Sequence, residues 1–378
     1  MKYYIIAGEA SGDLHGSNLI KELKQRDAHA LIRCWGGDQM QAAGATVVKH
    51  YKELAFMGFA EVVKNLPTIL SNIKFCKEDI TAFQPDVLVL IDYPGFNLRI
   101  AKWAKAHDYK VVYYISPQVW AWKENRVKLI RDVVDKMLVI LPFEKEFYET
   151  KWDYKVEYIG HPLVQVIDDF LAQHASQQKL FQKPIVALLP GSRQQEVAKK
   201  LPLMLEASKA FPQYQFVVAK AAALDDSFYQ TFLSSYSNVA TLKNETYTLL
   251  AQATAALVTS GTATLETALF GVPQVVCYKG SAVSYQIAKR LVKIKYISLV
   301  NLIMDKPVVT ELIQTDLTVE NITRELEAIL HNQQRIRQLK QDYGDLKKLL
   351  QQGGNASAKA AEIIFDFANA NGAKSAAQ

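Results

Sequence analysis

The chain has 378 residues, of which 49% are hydrophobic and 22% are charged, and its formal net charge is +6. This composition is typical of a globular protein with room for two domains, and it excludes a disordered or fibrous chain. No apolar run approaches the ~20 residues that a membrane-spanning helix needs. Three scattered cysteines, without metal spacing, are expected to be reduced core residues of a cytosolic protein.

Short apolar runs alternate with helical segments through most of the chain, as in parallel sheets covered on both faces. The predicted strands of the first half are Tyr3–Ala7, Leu31–Trp35, Val87–Asp92, Val111–Ile115, Met137–Leu141 and Glu157–Ile159. Those of the second half are Ile185–Leu189, Gln215–Val218, Ala255–Thr259 and Gln274–Tyr278. The chain is therefore predicted to have the α/β fold class.

A polar stretch, Ala172–Lys183, is the best candidate for a linker. We therefore predict domains at residues 1–175 and 184–345. Residues 346–378 are predicted to form helices and a tail, and the sequence leaves open whether these pack on the N-terminal domain or on a partner chain.

The first polar turn, Gly8–Gly16, follows the first predicted strand. It lacks the G-x-G-x-x-G spacing of a dinucleotide fingerprint, which argues against an NAD-linked oxidoreductase. Glu9 is predicted to lie at the carboxyl edge of the sheet, where α/β proteins bind ligands. Ser11 and Asp13 fit two interpretations equally well, as helix caps or as substrate contacts.

Asp92 follows the apolar strand Val87–Ile91 and is predicted to lie at the same edge. Apolar neighbours raise the pKa of a carboxyl group, and such a group suits general-base catalysis on a hydroxyl. The alternative is an aspartate that forms the turn before Pro94 and Gly95. We favour the catalytic role.

Two glycine turns stand out in the second half of the chain. The first glycine turn, Leu189–Arg193, and the second glycine turn, Ser260–Ala263, each follow a buried apolar strand and precede a helix. Free backbone N–H groups and the helix dipole make such turns anion sites, and Arg193 adds a cation that grips phosphate oxygens. Glu266 lies within about two turns of the start of the second of these helices, where its carboxylate is placed to hold ribose hydroxyls. The pair predicts a nucleotide diphosphate site.

Two basic clusters and one apolar segment leave their roles open. The clusters consist of Lys123, Arg126, Lys128 and Arg131 beside Trp120 and Trp122, and of Lys289, Arg290, Lys293 and Lys295. They are either solvated helix faces or surfaces attracted to anionic lipid or phosphate, and no nucleic-acid motif accompanies them. The segment Leu54–Leu70 is either a buried core helix or a groove or helix that meets acyl chains.

Motifs spread in order over nearly the whole chain resemble those of lipid-A-disaccharide synthases. They are Gly8-Glu-Ala-Ser-Gly-Asp13, Asp92-Tyr-Pro-Gly-Phe-Asn97, Ser116-Pro-Gln-Val-Trp-Ala-Trp122, Leu141-Pro-Phe-Glu144, Ile159-Gly-His-Pro162, Leu189-Pro-Gly-Ser-Arg193, Ser260-Gly-Thr-Ala-Thr-Leu-Glu266, Ala288-Lys-Arg-Leu-Val-Lys293 and Ser298-Leu-Val-Asn-Leu302. The resemblance implies a GT-B glycosyltransferase with two Rossmann-like, doubly wound domains facing a central cleft. The N-terminal domain then binds the acceptor and the C-terminal domain binds the UDP-sugar donor.

The resemblance also implies the reaction, in which UDP-2,3-diacylglucosamine and 2,3-diacylglucosamine 1-phosphate (lipid X) give a β(1→6) disaccharide 1-phosphate and UDP. It implies a peripheral enzyme at the cytoplasmic face of the inner membrane of a Gram-negative bacterium, with an anionic surface as partner. A homodimer is left open.

The residue roles that the resemblance implies fall into three groups. Asp92 is expected to deprotonate the acceptor, and Gly95 stands where some relatives have a second acid. The donor side comprises Gly191, Ser192, Arg193, Ser260, Gly261, Thr262, Ala263, Glu266 and Asn301. The acceptor side comprises Glu9, Ser11, Gly12, Asp13, Asn97, Ser116 and Gln118.

The sequence has no Asp-x-Asp pair to hold a divalent cation on a diphosphate, so we expect no metal and no other cofactor. Two alternative functions are compatible with the same motifs. One is another GT-B activity, such as a peptidoglycan glycosyltransferase or a UDP-N-acetylglucosamine epimerase, and the other is a nucleotide-sugar binding protein without turnover.

Overall fold

The computed structural model of the chain describes residues 1–54, 66–175, 178–222, 224–236, 238–281, 285–286, 290 and 294–370. Its contacts divide the chain into two units. The first unit is Met1–Pro162 together with the described residues from Gln351 onward, and the second is Leu163–Leu350. No helix among the described residues is long and apolar enough to cross a bilayer.

In the first unit, the described strands form a parallel sheet in the order β3-β2-β1-β4-β5-β6-β7. The strands are β1 (Lys2–Ala7), β2 (Leu31–Gly36), β3 (Thr46–His50), β4 (Val87–Ile91), β5 (Val111–Tyr114), β6 (Lys136–Val139) and β7 (Glu157–Tyr158). The helices between them are α1 (Ala10–Arg26), α2 (Asp38–Ala42), α3 (Leu66–Phe83), α4 (Pro94–Lys105), α5 (Arg126–Val133) and α6 (Pro142–Trp152), with a 3-10 turn at Tyr51–Leu54.

In the second unit, the described strands form a parallel sheet in the order β10-β9-β8-β11-β12-β13. Its strands are β8 (Ile185–Leu189), β9 (Gln215–Lys220), β10 (Val239–Lys243), β11 (Ala253–Thr259), β12 (Gln274–Tyr278) and β13 (Thr310–Ile313). Its helices are α7 (Pro162–Gln173), α8 (Gln194–Ser208), α9 (Asp226–Leu233), α10 (Thr246–Gln252), α11 (Thr262–Leu269), α12 (Leu299–Met304), α13 (Val319–His331) and α14 (Gln333–Gln351), with a 3-10 turn at Gln314–Asp316.

The central strands are buried along their whole length, which explains their unbroken apolar sequences. Every residue of β4 and of β8 is buried, as expected of parallel strands with helices on both faces. The large polar aromatics of the first core are satisfied internally, since Trp35 donates a hydrogen bond to the Tyr4 hydroxyl at 3.0 Å and Tyr4 donates one to Asp79 at 2.6 Å. Full burial of one large apolar side chain contributes about 2 kcal/mol to the stability of the fold.

The last helix, Ala356–Asn369, packs against α1 within the first unit. Its buried face is formed by small residues, including Ala360 and Ala361, and Glu362 pairs with Arg26 of α1 at 3.2 Å. The sequence had left the placement of this helix open, and the structure places it on its own chain.

The division between the units differs from the predicted boundaries at residues 175, 184 and 345. Helix α7 belongs to the second unit from Leu163 onward. The reason is packing, because the Phe170 ring meets the rings of Tyr247 and Phe270 edge to face, and Asp168 pairs with Lys347.

Candidate functional site

The two glycine turns leave the second sheet side by side. Strands β8 and β11 are neighbours, with Leu189 opposite Val258 near their carboxyl ends. Helices α8 and α11 begin directly after the turns, with Arg193 and Gly261 as N-caps, and neither helix has a side chain of its N-cap residue bonded to a backbone N–H of its first turn. Backbone N–H groups at both helix starts therefore remain available to an anion.

A single cavity of about 470 Å³ joins the two turns, and we call it the glycine-turn cavity. It contains every predicted donor-side residue except Asn301. The lining residues are Leu189, Gly191, Ser192, Arg193, Glu196, Ala219, Lys220, Ala221, Thr246, Thr259, Ser260, Gly261, Thr262, Ala263 and Glu266.

Charged side chains of both signs meet in the glycine-turn cavity. Arg193 is largely exposed and lies 3.5 Å from Glu196, a long ion pair that an incoming anion can displace. Lys220 pairs with Asp226 at 2.9 Å. Burial raises the pKa of Glu266, whose carboxylate accepts a hydrogen bond from the Tyr247 hydroxyl at 2.9 Å.

Asn301 does not line the glycine-turn cavity. It is buried, and its side-chain amide donates to the Val309 carbonyl at 2.9 Å and to Glu311 at 3.0 Å, while its side-chain oxygen accepts from the Val309 N–H at 2.9 Å. These bonds tie α12 to the start of β13. The contact of Asn301 with the ribose and uracil side of the donor stays a prediction.

The sequence reasoning missed several residues of the cavity. Lys220 ends β9, and Thr246 begins α10 just after β10. The available signal was a polar residue at the carboxyl end of a parallel strand, the same signal that identified Asp92. Glu196, on the first turn of α8, was also missed.

A second group of polar residues lies at the carboxyl edge of the first sheet. Strands β1 and β4 are neighbours, with Ala7 opposite Ile91, so Glu9 and Asp92 follow adjacent strand ends. Asp92 and Tyr93 both have left-handed backbone conformations, with φ of 41° and 50°. Such strain is concentrated at functional sites, and here it turns the chain sharply out of the sheet.

The strained conformation at Asp92 is held by its own carbonyl group. That oxygen accepts hydrogen bonds from the Asn97 amide at 2.7 Å and from the Tyr113 hydroxyl at 2.6 Å. Gly8 completes the arrangement, because a Cβ at this position would lie 2.4 Å from the Tyr93 ring. The turn after β1 thus packs closely against the turn after β4 at this edge of the sheet.

The carboxyl group of Asp92 has the electrostatics of a weak base. Desolvation by the surrounding protein, and then the negative charge of Glu9, raise its pKa to about 6. The residue nevertheless remains exposed at the surface of the unit. An accessible carboxylate with this pKa is suited to accept a proton near neutral pH.

The predicted acceptor-side residues divide into two groups. Glu9, Ser11 and Gln118 are exposed, whereas Gly12, Asp13, Asn97 and Ser116 are buried. Asp13 accepts hydrogen bonds from the backbone N–H groups of Gly37, Gln39 and Met40 and so caps α2. Ser116 is hydrogen-bonded to Tyr148 at 2.7 Å. Asp13, Asn97 and Ser116 thus make internal hydrogen bonds that support this edge. The contact of the whole acceptor-side set with an acceptor stays a prediction.

Glu144, near the start of α6, is a buried carboxyl group that the sequence did not assign a role. It accepts hydrogen bonds from the backbone N–H groups of Ile140 and Leu141 and from the Trp120 indole at 3.2 Å. Burial raises its pKa to about 7. Glu144 thus ties the loop after β5 to the loop after β6.

The predicted interfacial segments are only partly described. Trp122 is 46% exposed, and the Lys123 amino group lies 4.2 Å from the centre of its ring. Residues 55–65 of the apolar segment Leu54–Leu70 lie outside the described residues, as do Lys289 and Lys293 of the second basic cluster. Within the described ranges, no group of three or more His, Cys, Asp or Glu side chains is placed to hold a metal ion.

Comparison with known proteins identifies the family. A family model described as Lipid-A-disaccharide synthetase matches residues 3–365. The chain belongs to the lipid-A-disaccharide synthase family. The lipid-A-disaccharide synthase of Geobacter metallireducens is 38% identical over 371 residues, covering 96% of each chain. That of Coxiella burnetii is 37% identical over 370 residues, covering 96% of this chain and 97% of the relative.

Solved structures support the fold. A UDP-GlcNAc 2-epimerase from Neisseria meningitidis matches with a TM-score of 0.68 at 15% identity, covering 97% of this chain and 100% of that one. The calicheamicin glycosyltransferase CalG4 matches with a TM-score of 0.62 at 17% identity, covering 97% of both chains. The predicted GT-B fold is confirmed, and membership of the lipid-A-disaccharide synthase family confirms that the chain is a glycosyltransferase of lipid A biosynthesis.

Proposed function

We propose that the chain transfers 2,3-diacylglucosamine from UDP-2,3-diacylglucosamine to the 6-hydroxyl of 2,3-diacylglucosamine 1-phosphate. The products are the β(1→6) disaccharide 1-phosphate and UDP. The observation that carries the proposal is that both glycine turns and Glu266 line one cavity in a chain of this family.

The glycine-turn cavity is the proposed donor site. The diphosphate accepts hydrogen bonds from backbone N–H groups at the starts of α8 and α11, and Arg193 exchanges its long contact with Glu196 for the phosphate oxygens. The Glu266 carboxylate accepts hydrogen bonds from the ribose hydroxyls. These groups stabilise the negative charge that develops on UDP as it leaves.

Asp92 is the proposed base. It takes the proton from the acceptor hydroxyl as the new bond forms at the anomeric carbon and the bond from that carbon to the β-phosphate oxygen breaks. Inversion of configuration at the anomeric carbon requires one base on the attacking face of the sugar and charge stabilisation on the leaving-group face. A pKa of about 6 keeps Asp92 ionised at neutral pH and still basic enough to accept a proton.

Because the proposed substrates are lipids, the proposed site of action is the cytoplasmic face of the inner membrane. Support comes from large apolar side chains exposed on the first unit, Leu70 and Phe75 of α3 and Trp122, and from Lys123 over the Trp122 ring. An exposed tryptophan beside a lysine suits an anionic lipid surface.

The function is tested with Asp92→Asn and the matched control Asp132→Asn, which makes the same chemical change at an exposed position of α5. We expect Asp92→Asn to keep the UDP affinity of the wild type while losing at least about 100-fold in transfer rate, the usual contribution of a general base. Asp132→Asn should behave as the wild type. Equal transfer by both variants would contradict the role of Asp92.

Substrate class is tested in the same assay. We expect turnover with the diacylated UDP donor and none with unacylated UDP-N-acetylglucosamine. Equal rates with both donors would argue against a lipid substrate, and conversion of UDP-N-acetylglucosamine without any acceptor would indicate an epimerase.

A further inference from the structure

The proposed reaction leaves the buried amino group of Lys200 unexplained. Lys200 lies on α8, and only 2% of its surface is exposed. Its amino group donates a hydrogen bond to the hydroxyl of Thr259, the last residue of β11. Because Thr259 lines the glycine-turn cavity and Lys200 is buried against it, the ammonium group lies just behind the cavity wall.

The same amino group also approaches the first glycine turn. A Cβ placed on Gly191 would lie 3.4 Å from the Lys200 nitrogen and 2.6 Å from a carboxylate oxygen of Glu196. Gly191 has a φ of 123°, a conformation that favours glycine, and the absence of a Cβ leaves room for both groups. The ammonium of Lys200 is therefore bonded to Thr259, which directly precedes the second glycine turn, and lies close to Gly191 of the first glycine turn.

The charges around this position do not balance within the cavity wall. Burial lowers the pKa of Lys200, the carboxylate of Glu196 opposes that shift, and the cation of Arg193 adds to it. Glu196 also lies 3.5 Å from Arg193, so this one carboxylate interacts with both Arg193 and Lys200. A buried cation lowers stability unless an anion compensates it, and among the described residues Glu196 is the one carboxylate that acts on Lys200 electrostatically.

We propose that Lys200 is an internal counter-charge for a diphosphate bound in the glycine-turn cavity. The lysine acts on the phosphates through space, across the wall that Gly191 and Thr259 form, and does not touch them. This inference rests on the proposed function, because the diphosphate of the donor is its ligand. A buried charge interacts strongly with a ligand on the other side of a thin protein wall, since the protein interior screens the charge poorly.

A purely structural role predicts a different outcome from substitution. Methionine has a similar length and fills the space of lysine without a charge. Glu196 is only partly buried and keeps Arg193 as its partner, so the substitution leaves no buried carboxylate unpaired. We therefore expect Lys200→Met to fold. Lys200→Gln removes the charge as well but retains a donor for the hydroxyl of Thr259.

Calorimetric titration of the full chain with UDP, UMP and uridine tests the proposal. The matched control is Lys199→Met, which removes the same charge from the neighbouring, partly exposed position of α8. We expect both Lys200 variants to raise the Kd for UDP by about tenfold or more, with a smaller effect on UMP. Uridine should bind all variants equally, and Lys199→Met should bind UDP as the wild type does.

Three results would overturn the proposal. The first is a UDP affinity of Lys200→Met within twofold of that of Lys199→Met. The second is recovery of wild-type UDP affinity in Lys200→Gln, which would make the hydrogen bond to Thr259 the cause. The third is an equal loss of uridine, UMP and UDP binding in both Lys200 variants, which would indicate a damaged site. Failure of UDP to bind the wild type would instead overturn the proposed function, and this inference with it.

Discussion

Tyr247 donates a hydrogen bond to the carboxylate of Glu266 across 2.9 Å, and its ring is held edge to face by Phe170 and Phe270. The aromatic contacts fix the hydroxyl, and the hydroxyl in turn fixes the carboxylate that lines the glycine-turn cavity. Glu266 is therefore oriented before any ligand binds.

Loss of this hydroxyl should weaken nucleotide binding. A hydrogen bond to a charged group is worth about 1.5–3 kcal/mol when buried, and less in an accessible cavity. We expect Tyr247→Phe to raise the Kd for UDP by about three- to tenfold, as measured by calorimetry. Tyr236→Phe is the control, since Tyr236 makes a similar bond to Glu206 at 3.0 Å on an exposed surface. Equal effects of the two changes would contradict the assignment.

The pH dependence of transfer should report Asp92 and its neighbour Glu9. Because the base must be deprotonated, kcat/KM should rise with pH and level off above about 6, the pKa of Asp92. The charge of Glu9 raises that pKa, so Glu9→Gln should move the midpoint to lower pH. The control Glu22→Gln, on the same helix about 20 Å further along, should leave the midpoint unchanged. A shift to higher pH in Glu9→Gln would contradict the electrostatic coupling.

Glu144 should make stability fall as pH rises. Its pKa is about 7 when folded and 4.5 ordinarily, so between these values the folded state binds more protons than the unfolded state. Its contribution to stability is thus complete below pH 4.5 and is lost as pH rises through 7. The loss is about 3 kcal/mol.

Chemical denaturation at several pH values measures this contribution. The free energy of unfolding of Glu144→Gln should depend less on pH between 4.5 and 7 than that of the wild type. Glu146→Gln, an exposed position on the same helix, is the control and should follow the wild type. Parallel curves for the wild type and Glu144→Gln would show that Glu144 does not titrate in this range.

Transfer should not require a divalent metal. The proposed stabilisation of the leaving diphosphate uses Arg193 and two helix starts, which supply positive charge without a metal ion. We expect full activity after treatment with EDTA. Loss of activity that magnesium restores would contradict this expectation.

The sequence predicted the interior of each sheet better than its edges. Strands β4 and β8 are fully buried and apolar, and each was predicted to within one residue. The sequence analysis missed β3, β10 and β13, and all three are edge strands whose residues are mostly half-buried. An edge strand has a weaker apolar pattern because one side of it lacks a neighbour.

The candidate site could be predicted where it depends on local sequence. Both glycine turns are continuous segments, so their chemistry was visible without a fold. Lys220 reaches the glycine-turn cavity only because β9 lies beside β8, and strand order is a property of the whole sheet. The hydrogen bonds of Asn301 could not be predicted for the same reason, since its partners Val309 and Glu311 are set by tertiary packing.

The position of the last helix affects how the chain folds during synthesis. The second unit is continuous, so it can fold as soon as Leu350 has left the ribosome. The first unit lacks its final helix until Asn369 emerges, some 200 residues after Pro162, a wait on the order of 10–40 s at ordinary rates of translation. Until then the face of α1 that packs against the last helix stays uncovered, so the first unit completes its packing only once this helix has emerged.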